Sequence, residues 1–377
     1  MEGSASPTGS APTAVPTGVG RSLRKKSGPR RVAASRAEPI RVAVDANGAD
    51  LGPREVAEGA RQAAAEGIEV VVYGPAAALG RLGPGVEVRD SPVSIAKVPD
   101  PVRAVRANPE ASIVQAAASV GTGEAGALVC AGTTGTAVAA AFLKIGRLPG
   151  IHRPALAVLL PQPRSNRRLL LLDVGANADC RPEHLAQFAL MGAAFSRAVL
   201  GVAKPAVALL SNGSEPERGS EAVIEAHRRL AALAGSGRLP FRFAGNIEGH
   251  RLFAGEVDVA VCDGFAGNIA LKTAEGVAEG LVKGIGDRVK GNPIALLGGV
   301  LLWPAVRGLR SAADPERSGG AYLLGLKRPV VVAHGRFRAR GFAAAIRLAA
   351  QAAALPDQIA AELQATGLSR TAIRSGR

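Results

Sequence analysis

The chain has 377 residues, 47% of them hydrophobic and only 3% aromatic, so one large or two interleaved α/β domains must be cored with Ala, Val and Leu. Formal net charge is +15, which suits phosphate-bearing ligands, an acidic protein partner or an anionic membrane surface. Three cysteines without CxxC spacing and five scattered histidines argue against a disulfide framework or a zinc site and fit a reducing cytoplasm. No apolar run reaches the roughly eighteen residues of a membrane-spanning helix, and no secretory signal stretch is present. Basic segments interleaved with aromatic residues are missing too, so nucleic acid is not an expected partner.

Residues 1–39 are rich in Ser, Pro and Gly and then in Arg and Lys. Seven basic residues against Glu2 and Glu38 give this stretch +5, leaving +10 on the rest. Such a composition cannot bury enough apolar surface to order itself, and a disordered extension is predicted. From residue 40 the texture changes. RVAVDANGAD reads as a strand ending in polar residues and Gly, EVAEGARQAAAEG as a helix and EVVVYGP as a second strand. This is a βαβ unit and calls for a parallel sheet. The pattern recurs: ALVCAG before TAVAAAFLKIG, LLLLDVG before PEHLAQFALMGAAFSRAVL, AVALLSNG before EAVIEAHRRLAALAG, DVAVCDG before NIALKTAEGVAEGLV, and PVVVAHG before FAAAIRLAAQAAA. The expected fold is a three-layer αβα sandwich around a mainly parallel sheet, over 40–355. A C-terminal helix and basic tail follow in 356–377.

Six strands end alike: VDANG, VCAGTTG, LDVGANAD, LLSNGSE, VCDGFAGN and VVAHG. In a parallel α/β sheet, ligands bind at the carboxyl ends of strands, where helix N-termini converge. Each ending alone is an ordinary turn. Their repetition predicts one shared cleft. Gly132, Thr133, Thr134 and Gly135 stand before a helix and offer hydroxyls and free amides to a phosphate, or Thr133 or Thr134 simply caps that helix. No Gly-Lys-Ser/Thr follows, so this is not a Walker loop. LDVGANADCRPEHL gathers Asp173, Gly175, Asn177, Asp179 and Arg181. Arg181 is a reasonable oxyanion contact, while Asp179 also fits a turn. FAGNIEGHRLFAGEVDVAVCDGFAGNIALK sets Asn246 and Glu248 ahead of Asp263, Gly264, Gly267, Asn268 and Lys272. Lys272 either turns toward the cleft or snorkels outward.

LDVGANADCRPEHLAQFALMG, FAGNIEGHRLFAGEVDVAVCDGFAGNIALKTAEG and GGAYLLGLKRPVVVAHG together resemble the bacterial phosphate acyltransferase family, the PlsX type. VAVDANGAD, PVRAVRANPEASI, VCAGTTG and GRLPGIHRPALA fit the same pattern, so the resemblance runs in order from about residue 41 to about 350. It implies an enzyme that moves a long-chain acyl group from acyl carrier protein to inorganic phosphate, giving acyl phosphate for phospholipid synthesis. It also implies a homodimer with a fold related to isocitrate and isopropylmalate dehydrogenases, attached peripherally to the inner face of the cell membrane. No cofactor and no metal is expected. Phosphate is already a nucleophile, so such a site must bind it, position a thioester and stabilise an oxyanion. An acidic acyl carrier protein suits the +10 body.

On this reading Asp45, Gly48, Asp50, Gly132, Thr133, Thr134, Gly135, Asp173, Gly175, Asn177, Asp179, Arg181, Asn246, Glu248, Gly264 and Gly267 bind substrate. Lys272, His334, Asp263 and Asn268 are the catalytic candidates. In 281–318 an apolar stretch, IALLGGVLLW, lies between Lys290 and Arg307/Arg310 and reads as a helix at a bilayer interface or at a dimer interface. The family pattern is departed from after His334-Gly335, where two serines and an aspartate give way to Arg336-Phe337-Arg338, and Phe337 is expected to reshape the pocket. Two other readings stay open: a catalytically impaired, membrane-associated binding protein, and a short-chain phosphotransacetylase. A dehydrogenase would need an Asp cluster for a metal, and none is found.

Overall fold

The computed structural model describes residues 40–163, 167–290, 298 and 314–369. The apolar IALLGGVLLW stretch and the two arginines after it lie outside these residues, apart from Gly298, as do the N-terminal extension and the end of the basic tail. Among the described residues, eleven strands form one sheet. In chain order they are β1 (Arg41–Asp45), β2 (Glu69–Gly74), β3 (Val86–Asp90), β4 (Ala127–Ala131), β5 (Ala155–Pro161), β6 (Arg168–Leu172), β7 (Ala206–Ser211), β8 (Arg242–Glu248), β9 (Val259–Val261), β10 (Ala321–Leu324) and β11 (Val330–Ala333). The helices are α1 (Pro53–Ala64), α2 (Ala76–Leu79), α3 (Pro101–Ala107), α4 (Ser112–Gly121), α5 (Thr134–Lys144), α6 (Pro182–Ala198), α7 (Glu221–Gly235), α8 (Gly264–Lys290), α9 (Pro315–Ser318), α10 (Ala339–Gln351) and α11 (Leu355–Thr366).

The inner strands are continuous apolar runs because helices cover both faces. Val42, Val44, Val129, Leu170, Leu172, Val259 and Val331 join α1, α6, α7, α10 and α11 in one core layer. Leu128, Cys130, Leu156, Leu169, Leu171 and Val332 join α3, α4 and α5 in the other. Helix α6 buries thirteen of its seventeen residues, and each large apolar side chain there is worth about 1.5–3 kcal/mol. Phe195 adds an edge-to-face contact with Tyr322 at 4.3 Å, holding α6 against β10. Edge strand β3, VEVRD, carries Glu87 and Arg89 toward solvent, which discourages pairing with another chain. The expected three-layer αβα architecture is therefore what the structure has.

The strand order is β3-β2-β1-β4-β11-β10-β5-β6-β9-β7-β8. Seven pairings are parallel. Three consecutive ones, β11 with β10, β10 with β5 and β5 with β6, are antiparallel. An odd number of reversals turns the sheet around, so β6, β7, β8 and β9 run opposite to β1, β2, β3, β4 and β11. The carboxyl ends of β1, β4 and β11 leave at one edge, and those of β6, β7, β8 and β9 leave at the other. Four strand spacings also part β4 from β6, about 19 Å. The expected single cleft is thus corrected to two separate clusters of strand ends.

Candidate active site at the first strand edge

The first cluster is built where β1, β4 and β11 end. Asp45 is buried. Its Oδ1 accepts the Ser112 hydroxyl at 2.6 Å and the Asn47 N–H at 3.2 Å. Burial pushes its carboxyl up to about 6, against the opposing pull of those two hydrogen bonds. The Asn47 amide donates to Ser112 Oγ at 3.0 Å and to the Ser91 carbonyl at 2.8 Å. Gly48 packs onto Ala131, and Gly132, at φ +111°, packs back onto Gly48, each leaving no room for a Cβ. The Asp50 N–H reaches the Gly335 carbonyl at 2.8 Å, and the Asp50 carboxylate meets Lys97 Nζ at 3.3 Å. This edge thereby gathers Asp45, Gly48, Asp50, Gly132, Thr133, Thr134, Gly135 and His334.

The start of α5 decides between phosphate cradle and simple cap. Thr133 occupies the cap position but makes no side-chain cap. Its hydroxyl is drawn instead to the Ala96 carbonyl, and Thr136 Oγ1 donates to the Ile95 carbonyl at 3.2 Å. The first intrahelical bond comes from the Ala137 N–H to the Thr133 carbonyl. The amides of Thr134, Gly135 and Thr136 have no protein acceptor among the described residues, which is the state in which a helix start receives an anion. The loop between β3 and α3 supplies this wall through Ser94, Ile95, Ala96 and Lys97, and sequence reading missed it. Its signal was a Pro-bounded polar segment, SPVSIAKVPD, with no periodicity of its own.

His334 is exposed at the end of β11. Its Nδ1 accepts the Arg336 N–H at 3.2 Å, so Nε2 carries the proton of the neutral ring and is a donor. Phe337 turns inward beneath His334. It is 3% exposed, stacks against His334 at 6.0 Å and meets Phe342 edge-to-face at 6.2 Å. An aromatic residue following a strand end found the core layer under α10 because its burial there outweighs exposure at the rim.

The second cluster, at the opposite edge, is largely scaffold. Asp173 is fully buried. Its oxygens accept the amides of Leu156, Gly175, Ala176 and Asn177 at 2.8–3.1 Å and the Asn177 side chain at 2.7 Å. Burial still raises its pKa, against those hydrogen bonds. Its oxygens are thus engaged by protein donors, which ties the β6–α6 loop together. Asn177 also donates to the Pro154 carbonyl at 2.7 Å. The Gly264 N–H closes onto the Asn177 carbonyl at 2.7 Å, and Gly267 packs onto the Asp173 carbonyl without space for a Cβ. Asp263 Oδ1 accepts the Ala266 N–H at 2.7 Å and caps α8. Asn246 is likewise spent: it bonds His227 Nδ1 at 2.9 Å and the Glu215 carbonyl at 2.7 Å. Glu248 ends β8 with His250 Nδ1 3.8 Å away. Gly175, Asp179 and Arg181 are exposed. The Arg181 N–H donates to His184 Nδ1 at 3.2 Å, and burial, then His152 and Arg153, lowers the pKa of His184 to about 4.

Helix α8 links the two edges. It starts among the second cluster, and fifteen residues on, about 22 Å along the axis, Glu279 lies within the electrostatic reach of Arg336. Asn268 is exposed. Lys272 is exposed too, with its ammonium 2.8 Å from Glu275. The expected grouping of Lys272, Asp263 and Asn268 with His334 is corrected accordingly, and the outward alternative for Lys272 holds. Ala266, Ala270 and Leu271 alone rest on the second core layer. Phe265, Ile269, Val277, Leu281, Val282 and Ile285 face outward. Among the described residues no helix is long and apolar enough to cross a membrane.

The fold is an α/β sandwich shared with solved phosphotransacetylases. A phosphotransacetylase from Streptococcus pyogenes superposes with a TM-score of 0.57, at 18% identity, over 83% of this chain and 94% of that one. One from Staphylococcus aureus gives 0.56 at 18% identity over 84% and 94%. The chain itself belongs to the family described as "Fatty acid synthesis protein", which matches residues 40–358. It is 41% identical over 317 residues to the phosphate acyltransferase of Desulforudis audaxviator, covering 83% of this chain and 92% of that relative.

Proposed function

We propose that this chain is an acyltransferase that moves a long-chain fatty acyl group from acyl carrier protein to inorganic phosphate, and that the reaction runs at the edge where β1, β4 and β11 end. The observation that carries the placement is the uncapped start of α5. Three free amides sit there beside Gly132 and Lys97, with Asp45 and Asp50 lining the same edge and His334 across it. Phosphate bound on Thr134, Gly135 and Thr136 presents an oxygen to the thioester carbonyl. The new C–O bond forms as the C–S bond breaks, and the departing thiolate takes a proton. His334 Nε2–H is the group placed to donate to the oxyanion or to that sulfur. No triad is required, because the nucleophile arrives ionised.

The chain acts as a homodimer in peripheral contact with an anionic membrane at the inner face of the cell membrane. The outward apolar row of α8 supports a partner surface, since single exposed apolar residues are common but a row along one helix is not.

Purified protein is mixed with an acyl carrier protein thioester, with and without phosphate, and free thiol is followed. Thiol release that depends on phosphate is expected. Release without phosphate, or none at all, sinks the reading, and preferential turnover of acetyl-CoA replaces it with the short-chain alternative.

A further inference from the structure

We propose that Arg336 and Arg338 form a docking fork for the acidic surface of the acyl-donor protein, set at the rim of the first strand edge. This rests on the acyltransferase reading above. The segment HGRFRAR alternates: Arg336 and Arg338 are exposed, while Phe337 between them is buried. Two residues apart, their Cα atoms are at most about 7 Å from each other. That matches acidic side chains one turn apart on a partner helix, about 5–6 Å between Cβ atoms.

The fork is held rigid from beneath. Phe337 is wedged between His334 and Phe342, and its N–H bonds the His334 carbonyl at 2.9 Å. The Arg338 N–H bonds Glu316 Oε1 at 3.0 Å, and the Ala339 N–H bonds Glu55 Oε2 at 2.7 Å. A fixed backbone under the two arginines spares part of the ordering cost of binding.

The neighbouring carboxylates are already engaged. Arg340 meets Asp314 at 2.6 Å and Glu316 at 2.8 Å, and Glu55 holds backbone. Neither Arg336 nor Arg338 has a carboxylate within ion-pair distance among the described residues. Arg336 acts only through its field on Glu279, whose nearest cation is Lys283 at 2.7 Å. Arg338 acts in the same way on Glu316. Two guanidiniums are therefore presented outward, beside the histidine that the chemistry uses. An anionic protein surface landing here would place its thioester arm at the α5 start. Inorganic phosphate is the lesser fit, because it is served by the amides of Thr134, Gly135 and Thr136 and needs no rim cation.

The test uses the full chain carrying Arg336→Ser with Arg338→Ser. The KM for the acyl carrier protein thioester is expected to rise about five- to tenfold, and its salt dependence to flatten, while the phosphate KM stays put. A rise in the phosphate KM instead, or no change in either, overturns the proposal. Arg336→Lys with Arg338→Lys keeps the charge and is expected to keep most of the affinity. Loss equal to that of the serine variant overturns it as well. Direct titration of the chain with acyl carrier protein reads docking without turnover. A wild-type chain that binds the carrier but releases no thiol sinks the acyltransferase reading and leaves the fork standing.

Discussion

The carbonyl oxygen of Ala131 occupies the space that a Cβ on residue 48 would need. The ends of β1 and β4 are thus pressed backbone to backbone, and this contact sets the floor of the first strand edge. Both partners are main chain and cannot swing aside. Gly48→Ala is expected to cost about 3 kcal/mol or more and to remove phosphate-dependent turnover. Urea unfolding followed alongside the thiol assay checks it, and an alanine variant of native stability contradicts the packing.

Asp173 accepts four backbone amides and one side-chain amide in a buried pocket. Asp173→Ala strands those donors and is expected to lower stability by about 3–5 kcal/mol. The folded fraction that survives should keep its KM for phosphate. A stable but inactive Asp173→Ala protein would instead assign this carboxylate to the substrate.

Asp45 and His184 tilt stability with pH in opposite directions. The Asp45 carboxyl lies near 6 in the fold against about 3.9 unfolded. Its native state therefore holds a proton that the unfolded chain has lost, and stability drains as pH rises from about 4 to 6. Asp45→Asn, which keeps an acceptor for Ser112, is expected to gain about 1–3 kcal/mol at pH 7 and nothing at pH 4. His184 lies near 4 in the fold against about 6.5 unfolded. Its contribution is whole above pH 6.5 and lost as pH falls to 4, so His184→Gln should flatten the acid limb. Urea midpoints across pH 4–8, each taken against wild type, separate the two slopes.

His334 and Lys272 were candidates of equal standing in the sequence, and the structure parts them. His334→Ala removes a proton donor at the proposed site and is expected to lower kcat/KM about 10²-fold with thermal stability kept. Lys272→Ala breaks an exposed pair with Glu275 and should change turnover less than about twofold. Steady-state kinetics on both variants decides. Equal losses would return Lys272 to the chemistry.

Much of the fold was readable from residue pattern. RVAVD, ALVCA and VVVA announced themselves because β-branched runs closed by Gly are strands covered on both faces. TAVAAAFLKIG announced a helix whose start was either open to an anion or capped by Thr133 or Thr134, and the structure leaves the amides of Thr134, Gly135 and Thr136 without a protein acceptor among the described residues. The strands that passed unnoticed were VEVRD, ALAVLLP, RFAGNIE and AYLL. Two of them, β5 and β10, make the antiparallel joins that reverse the sheet.

By itself the sequence determined the layers, the strand–helix alternation, the family and the polar strand ends, because local periodicity and turn chemistry act over a few residues. Only the tertiary structure decided which strand ends meet. Strand direction depends on pairing between residues far apart in the chain, such as Tyr322 with Ala157 and Val331. That pairing puts His334 with Thr134 and Gly135, fills the oxygens of Asp173 with backbone amides, and leaves Lys272 in solvent.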